Sequence, residues 1–195
     1  MGHIIVQGVR VSTDHSIGGE PIEPIEPIEP NQNIRRYQST RVHLERVEGF
    51  AQRARQDGAK VVYGGAVSER RGGLYFEPTL LMDAPTGSEI LKREVFGPVL
   101  TFQTFEDEEE AIAMANDTEY GLAATIFTGD EQRAQRVSAA INAGTVWVNC
   151  FFVRDLSAPF GGNKQSGIGR EGGKWSFDFY CDVKTVCSPG TFHRR

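Results

Sequence analysis

Between Val99 and Asn149 the chain switches back and forth between two hydrophobic periods, and this restricts the fold more than any other feature. Val99 to Phe105 alternates as a strand does. Asp107 then stands where a helix N-cap belongs, ahead of Glu108 to Asn116, whose acidic first turn suits the helix dipole. Leu122 to Phe127 reads as a strand, Asp130 to Ile141 as a helix and Thr145 to Asn149 as a strand. Asn142-Ala143-Gly144 is the breaker before that last strand, with Gly144 suited to a helix C-terminus. Strands alternating with helices predict an α/β domain, with a mainly parallel sheet, flanking helices and right-handed crossovers.

Upstream, Val42, Leu44, Val47, Phe50 and Ala51 mark one face of a helix running to about Gln56. Asp57-Gly58 ends it. Lys60 to Tyr63 is a short strand closed by Gly64-Gly65, and Leu74 to Met82 is extended, with Pro78 marking an edge or an irregular start. Downstream lie a glycine-rich loop (157–173), a short aromatic helix, a last strand from Asp182 to Cys187 and a loose tail, 188–195. Residues 20–30 repeat Glu-Pro-Ile with proline at every third position, which bars helix and central strand and favours polyproline II or disorder. Residues 1–41 therefore read as a leader with no fold of its own, and the repeat reads as a spacer in preference to a ligand for a proline-binding module.

A length of 195 residues fits one domain, or one with a tail. The net charge of −5 argues against a generic nucleic-acid binder. No apolar run reaches the roughly 18 residues of a membrane span. The first residues lack a signal peptide's basic start, and the odd set Cys150, Cys181 and Cys187 points to reduced thiols in the cytoplasm. Each cysteine reads by default as a small buried apolar side chain. His43 reads as a surface residue of the first helix, and no histidine has metal-ligand spacing. Nine acidic and no basic residues lie between Thr104 and Glu131, which reads as a solvated face with capped helix starts. Gly167-Ile168-Gly169-Arg170-Glu171-Gly172 matches G-x-G-x-x-G, but no strand directly precedes it. The dinucleotide fingerprint therefore fails, and a loop with tight turns remains.

Several segments are more specific. They are Glu94-Val95-Phe96-Gly97-Pro98-Val99, the run Ala115 to Ala124 containing Asn116-Asp117-Thr118-Glu119-Tyr120-Gly121, Ala143-Gly144-Thr145-Val146-Trp147-Val148-Asn149, and Pro159-Phe160-Gly161-Gly162-Asn163-Lys164-Gln165-Ser166-Gly167. In this order and spacing, over about Val42 to Val186, the chain resembles the C-terminal part of the aldehyde dehydrogenase superfamily. Asn149 to Leu156 and Trp175 to Tyr180 are similar to a narrower branch that oxidises muconate-type semialdehydes from aromatic ring cleavage.

The resemblance implies a small aldehyde as substrate and NAD as cofactor, with NADP left open. Glu94 matches the family glutamate that accepts from the nicotinamide ribose hydroxyls, and Phe96 the aromatic beside the nicotinamide. Phe160 matches an aromatic of the aldehyde pocket. Arg154, just before it, is suited to hold a substrate carboxylate by paired hydrogen bonds, or else to form a salt bridge with Asp155 or a neighbour. Arg46 and His43 fall on the helix that nears the cofactor in the family. The last strand resembles one that pairs across subunits, implying a homo-oligomer. None of the three cysteines matches the family nucleophile, which lies upstream of the matching segment together with the glutamate base. No catalytic residue is therefore assigned, and a fragment inactive alone is expected. A docking module for full-length dehydrogenase subunits and one chain of a split enzyme are the alternatives. No nucleic-acid, membrane or metal partner is expected.

Overall fold

The computed structural model describes residues 2–6, 9–12, 16–17, 20–21, 38–68 and 73–189, the first four stretches as backbone only. Four short strands come first: β1 Gly2–Val6, β2 Val9–Ser12, β3 Ser16–Ile17 and β4 Glu20–Pro21. Then follow α1 Arg41–Gln56, β5 Lys60–Tyr63, β6 Thr79–Met82, α2 Glu89–Lys92, β7 Val99–Thr104 and α3 Glu108–Asn116. The rest is β8 Tyr120–Gly121, β9 Ala123–Thr128, α4 Glu131–Ala140, β10 Thr145–Val148, β11 Asn163–Lys164 and α5 Trp175–Tyr180.

The three long helices start alike. Thr40, Asp107 and Asp130 each accept from the amide three residues on, which satisfies one of the orphan donors of the first turn. α1 buries Leu44, Val47, Phe50, Ala51 and Ala54, the stripe expected of a 3.6-residue period. Gly58, at φ 109°, takes the chain out of the helix in a conformation that side chains avoid.

Seven strands form one sheet in the order β10-β9-β1-β2-β7-β6-β5. Parallel pairing links β10 to β9, β2 to β7 and β7 to β6, so those five strands run one way, while β1 and β5 run against them. β6 starts directly after Pro78, so the missing amide falls outside its ladder.

Two expectations change. Within the 1–41 leader, Gly2–Val6 and Val9–Ser12 pair in the middle of this sheet, Ile4 opposite Ile126 and Val9 opposite Thr101. Their β-branched residues carry strand propensity, but the partners that realise it lie far along the chain. Of the proline repeat, Glu20–Pro21 pairs with Ser16–Ile17, and the remainder to residue 30 lies outside the described residues. Second, Asp182–Cys187 is not a strand. Neither edge of the sheet, β10 or β5, pairs with it, and Val183 and Val186 stand 94% and 80% exposed. β-branched residues form a strand only where a partner completes the ladder.

Two apolar clusters hold the molecule. One packs α1 and α2 against Phe76, Leu81 and Val95; the other packs α3 and α4 against Phe105, Ala124 and Ile126. Each fully buried Phe, Leu or Val contributes about 1.5–3 kcal/mol. α3 and α4 are also tied by Glu108, which accepts two bonds of 3.0 Å from Arg136 and lies 3.3 Å from Arg133. The hydrogen bond from Arg136 holds the Glu108 carboxyl below the usual glutamate range, with desolvation acting in the opposite direction. Part of the acidic run is thus spent on capping and on this pair. No helix among the described residues is long and apolar enough to cross a membrane.

Candidate functional site

The segment from Arg93 to Pro98 links α2 to β7, and α1 grips it. Val95 is buried. Gly97 meets α1 so closely that a Cβ there would lie 2.6 Å from Val47 Cγ2. Arg46 donates to the Glu94 carbonyl at 2.9 Å. The His43 ring donates from Nε2 to the Phe96 carbonyl at 2.6 Å, and Nδ1 accepts from the Ser39 hydroxyl at 3.3 Å. Phe96 sits at φ 60°, a left-handed conformation that costs a bulky residue about 1–2 kcal/mol.

The grip leaves two groups open. The Phe96 ring is 69% exposed, and the Glu94 carboxylate is exposed with no partner among the described residues. Both line a cavity of about 210 Å³, together with Val95, Met114, Thr118 and Tyr120. A carboxylate with free lone pairs beside an aromatic face can accept from two vicinal hydroxyls while the ring covers a flat heterocycle.

The second site lies on the loop after β10. Asn149, at φ 52°, lays its amide along Thr128, accepting from its amide at 2.9 Å and donating to its carbonyl at 2.8 Å. Trp147 donates from Nε1 to the Val153 carbonyl at 2.8 Å. Phe160 and Glu171 exchange two backbone bonds of 2.8 Å. Arg154 lies 4.2 Å over the Phe160 ring and 3.4 Å from a Glu171 oxygen. Its salt-bridge partner is therefore Glu171. Asp155 is occupied by the Ser157 amide and hydroxyl, which hold its carboxyl below the usual range. The Arg154 guanidinium, stacked and half-exposed, keeps donors for an anion. Phe160 lines a cavity of about 230 Å³ with Leu122, Gly162, Arg170, Phe179 and Tyr180.

Glu94 and Phe96 thus meet at one cavity, and Arg154 and Phe160 meet beside another. The G-x-G-x-x-G stretch is a turn-rich loop: Gly167, Gly169 and Gly172 all have positive φ, and a Cβ on Gly169 would strike the Phe179 ring.

His43 is partly exposed on α1, with one partner, Ser39, one turn back and the other, the Phe96 carbonyl, far along the chain. One further expectation is corrected. Cys181 and Cys187 are exposed and Cys150 is intermediate, since α5 and the residues after it bury no side chain. The role of His43 and Arg46 in gripping the 94–97 backbone escaped sequence reasoning; only their spacing of three along one helix face hinted at a shared target. Among the described residues no group of histidines, cysteines and carboxylates could hold a metal.

The fold is an α/β domain built on a mixed sheet, with an acidic-aromatic turn beside a cleft. The model of the Aldehyde dehydrogenase family matches residues 38–186, and the chain belongs to that family. It is 46% identical over 149 residues to 2-hydroxymuconic semialdehyde dehydrogenase of Pseudomonas sp. (strain CF600), a match covering 74% of this chain and 31% of that protein. It superposes with a TM-score of 0.71 and 40% identity on a double mutant of betaine aldehyde dehydrogenase from Staphylococcus aureus in complex with NAD+, covering 80% of this chain and 33% of that one. HpcC from Thermus thermophilus gives a TM-score of 0.69 at 40% identity, covering 77% and 32%. The chain therefore spans about a third of the length of the relatives it matches.

Proposed function

We propose that this chain is the C-terminal part of an NAD-dependent aldehyde dehydrogenase that oxidises a semialdehyde bearing a carboxylate, of the 5-carboxymethyl-2-hydroxymuconate or 2-hydroxymuconate type, in aromatic catabolism. The observation that carries this reading is the Glu94–Phe96 turn, held from α1 with its carboxylate unpartnered and its ring open beside a cavity. NAD, when bound, accepts the hydride of aldehyde oxidation. Glu94 would accept from its nicotinamide ribose hydroxyls and Phe96 would flank its ring. Arg154 would hold the distal carboxylate of the substrate and Phe160 its carbon chain. The relatives named as muconic semialdehyde dehydrogenases support the substrate class.

None of Cys150, Cys181 and Cys187 matches the family nucleophile, so these 195 residues alone give no NADH. Turnover would need a thiol supplied from outside them. A second reading, docking on an intact dehydrogenase subunit or on another copy, is favoured by the exposed Phe151, Leu156, Val183 and Val186. NAD titration followed by amide NMR tests the first reading: shifts centred on Val95–Gly97, abolished in Glu94→Gln, are expected. A spectrum unmoved by NAD would overturn it. Co-purification with an intact dehydrogenase, lost in Val183→Asp, would support the second.

A further inference from the structure

We propose that His43 is the positioning residue of the Glu94–Phe96 turn, keeping Phe96 in its left-handed conformation through the bond from its ring Nε2 to the Phe96 carbonyl. The inference rests on the reading of that turn as the NAD-facing part of the chain. Four carbonyls of the turn have a donor. Glu94 takes Arg46, Phe96 takes His43, Gly97 takes the Val99 amide and Pro98 takes the Thr79 amide at 2.8 Å. Only at Phe96 does a non-glycine residue adopt a strained φ within this segment, and the His43 bond of 2.6 Å is the shortest of the four.

The histidine is itself pre-set. Its Nδ1 lies 3.3 Å from the Ser39 hydroxyl one turn back, a contact that orients the ring plane with Nε2 toward the carbonyl. The two ring centroids lie 6.4 Å apart with the planes tilted by 52°. His43 and Arg46 are three apart on α1, and Val47 packs on Gly97. The helix therefore grips three successive points of one turn. Of the three, the His43 bond bears on the strained residue. Without it the Phe96–Gly97 peptide loses its anchor to α1, and nothing then opposes relief of the strained φ at Phe96, which would carry the ring off the cavity.

The test compares His43→Ala with His43→Gln in the full chain, since a glutamine amide can still donate to a carbonyl. Two readouts are needed: the carbonyl carbon shift of Phe96 with amide exchange at Val95, Phe96, Gly97 and Val99, and the NAD-dependent amide shifts. In His43→Ala the Phe96 carbonyl signal should move upfield, and exchange at Val99, whose amide donates to the Gly97 carbonyl, should quicken about tenfold. Amides of Phe50 to Gln56 should keep their wild-type rates. His43→Gln should recover most of both changes. Unchanged signals at these residues in His43→Ala, or equal losses along all of α1, would overturn the proposal. If the wild-type turn responds to NAD, the response should weaken about tenfold in His43→Ala and return in His43→Gln. If the wild-type chain ignores NAD, the cofactor reading fails and the exchange data still decide the role of His43.

Discussion

Residues 38–148 and 149–189 both fall largely within the family match, yet they are held by different forces. The first region carries both apolar clusters and every fully buried large side chain. The second buries no side chain completely. Its order comes from backbone pairs such as Phe160 with Glu171, from the Arg170 bonds to the Gly162 and Gly169 carbonyls and from Trp147 reaching Val153. Each such bond contributes only about 1 kcal/mol net, against several for a buried aromatic ring. One chain can therefore hold a packed domain and, beside it, a loop surface that keeps its shape without a core.

Aromatic truncation should separate the two most sharply. Phe76→Ala, at a fully buried site, should cost about 3–5 kcal/mol in urea unfolding. Phe177→Ala, on the 69% exposed ring in α5, should stay within about 0.5 kcal/mol. Equal costs would break the comparison.

The seam comes next. Gly144 meets the Gly161 carbonyl so closely that no Cβ fits. Gly144→Ala should cost about 1–3 kcal/mol. Amide exchange should quicken over residues 161–171 while α1 stays protected, and uniform loss of protection would mean the regions unfold as one.

Acid sharpens the picture at smaller amplitude. Glu108, in the packed region, has its carboxyl lowered by Arg136, and Asp155, in the loop region, has its own lowered by Ser157. A depressed folded-state value adds stability that is full above the unfolded-state value and is lost as pH falls through the folded one. Thermal melts should therefore fall below the usual carboxylate range, and Glu108→Gln should flatten that fall for the packed region. An unchanged slope would show that the α3–α4 pair contributes nothing.

The smallest effect on stability belongs to Arg154→Met. An exposed ion pair at 3.4 Å contributes at most about 1 kcal/mol, so the melt should barely move. Binding of a dicarboxylate, followed at the Phe160 ring signals, should be lost. A large drop in melting temperature with binding retained would assign Arg154 to the scaffold.

What could be read from the sequence was what is local. Helix α3 emerged with its observed bounds because Asp107, three glutamates and the Ala111–Ala115 stripe sit within ten residues. α1 and α4 followed from the same pairing of cap and stripe. The place of β1 and β2 in the sheet could not be read, since their partners are chosen by tertiary geometry. Asp182–Cys187 failed for the complementary reason: the propensity is there and the edge is not. At the candidate site, Glu94, Phe96, Arg154 and Phe160 were named through resemblance alone. The positive φ of Phe96 and the reach of His43 to its carbonyl are products of packing that no short window contains.

The central position of the β1–β2 pair also sets an order of events. Gly2 pairs with Thr128 and Val9 with Thr101, so the earliest residues of the chain must wait for strands much further on before the sheet can close. Such non-local pairing slows folding, because a long loop has to be ordered before any contact rewards it. Until closure, β9 and β7 present open edges, which are templates for pairing between molecules. Refolding should accordingly be slow and sensitive to concentration, with the helices formed early and the middle of the sheet assembled last.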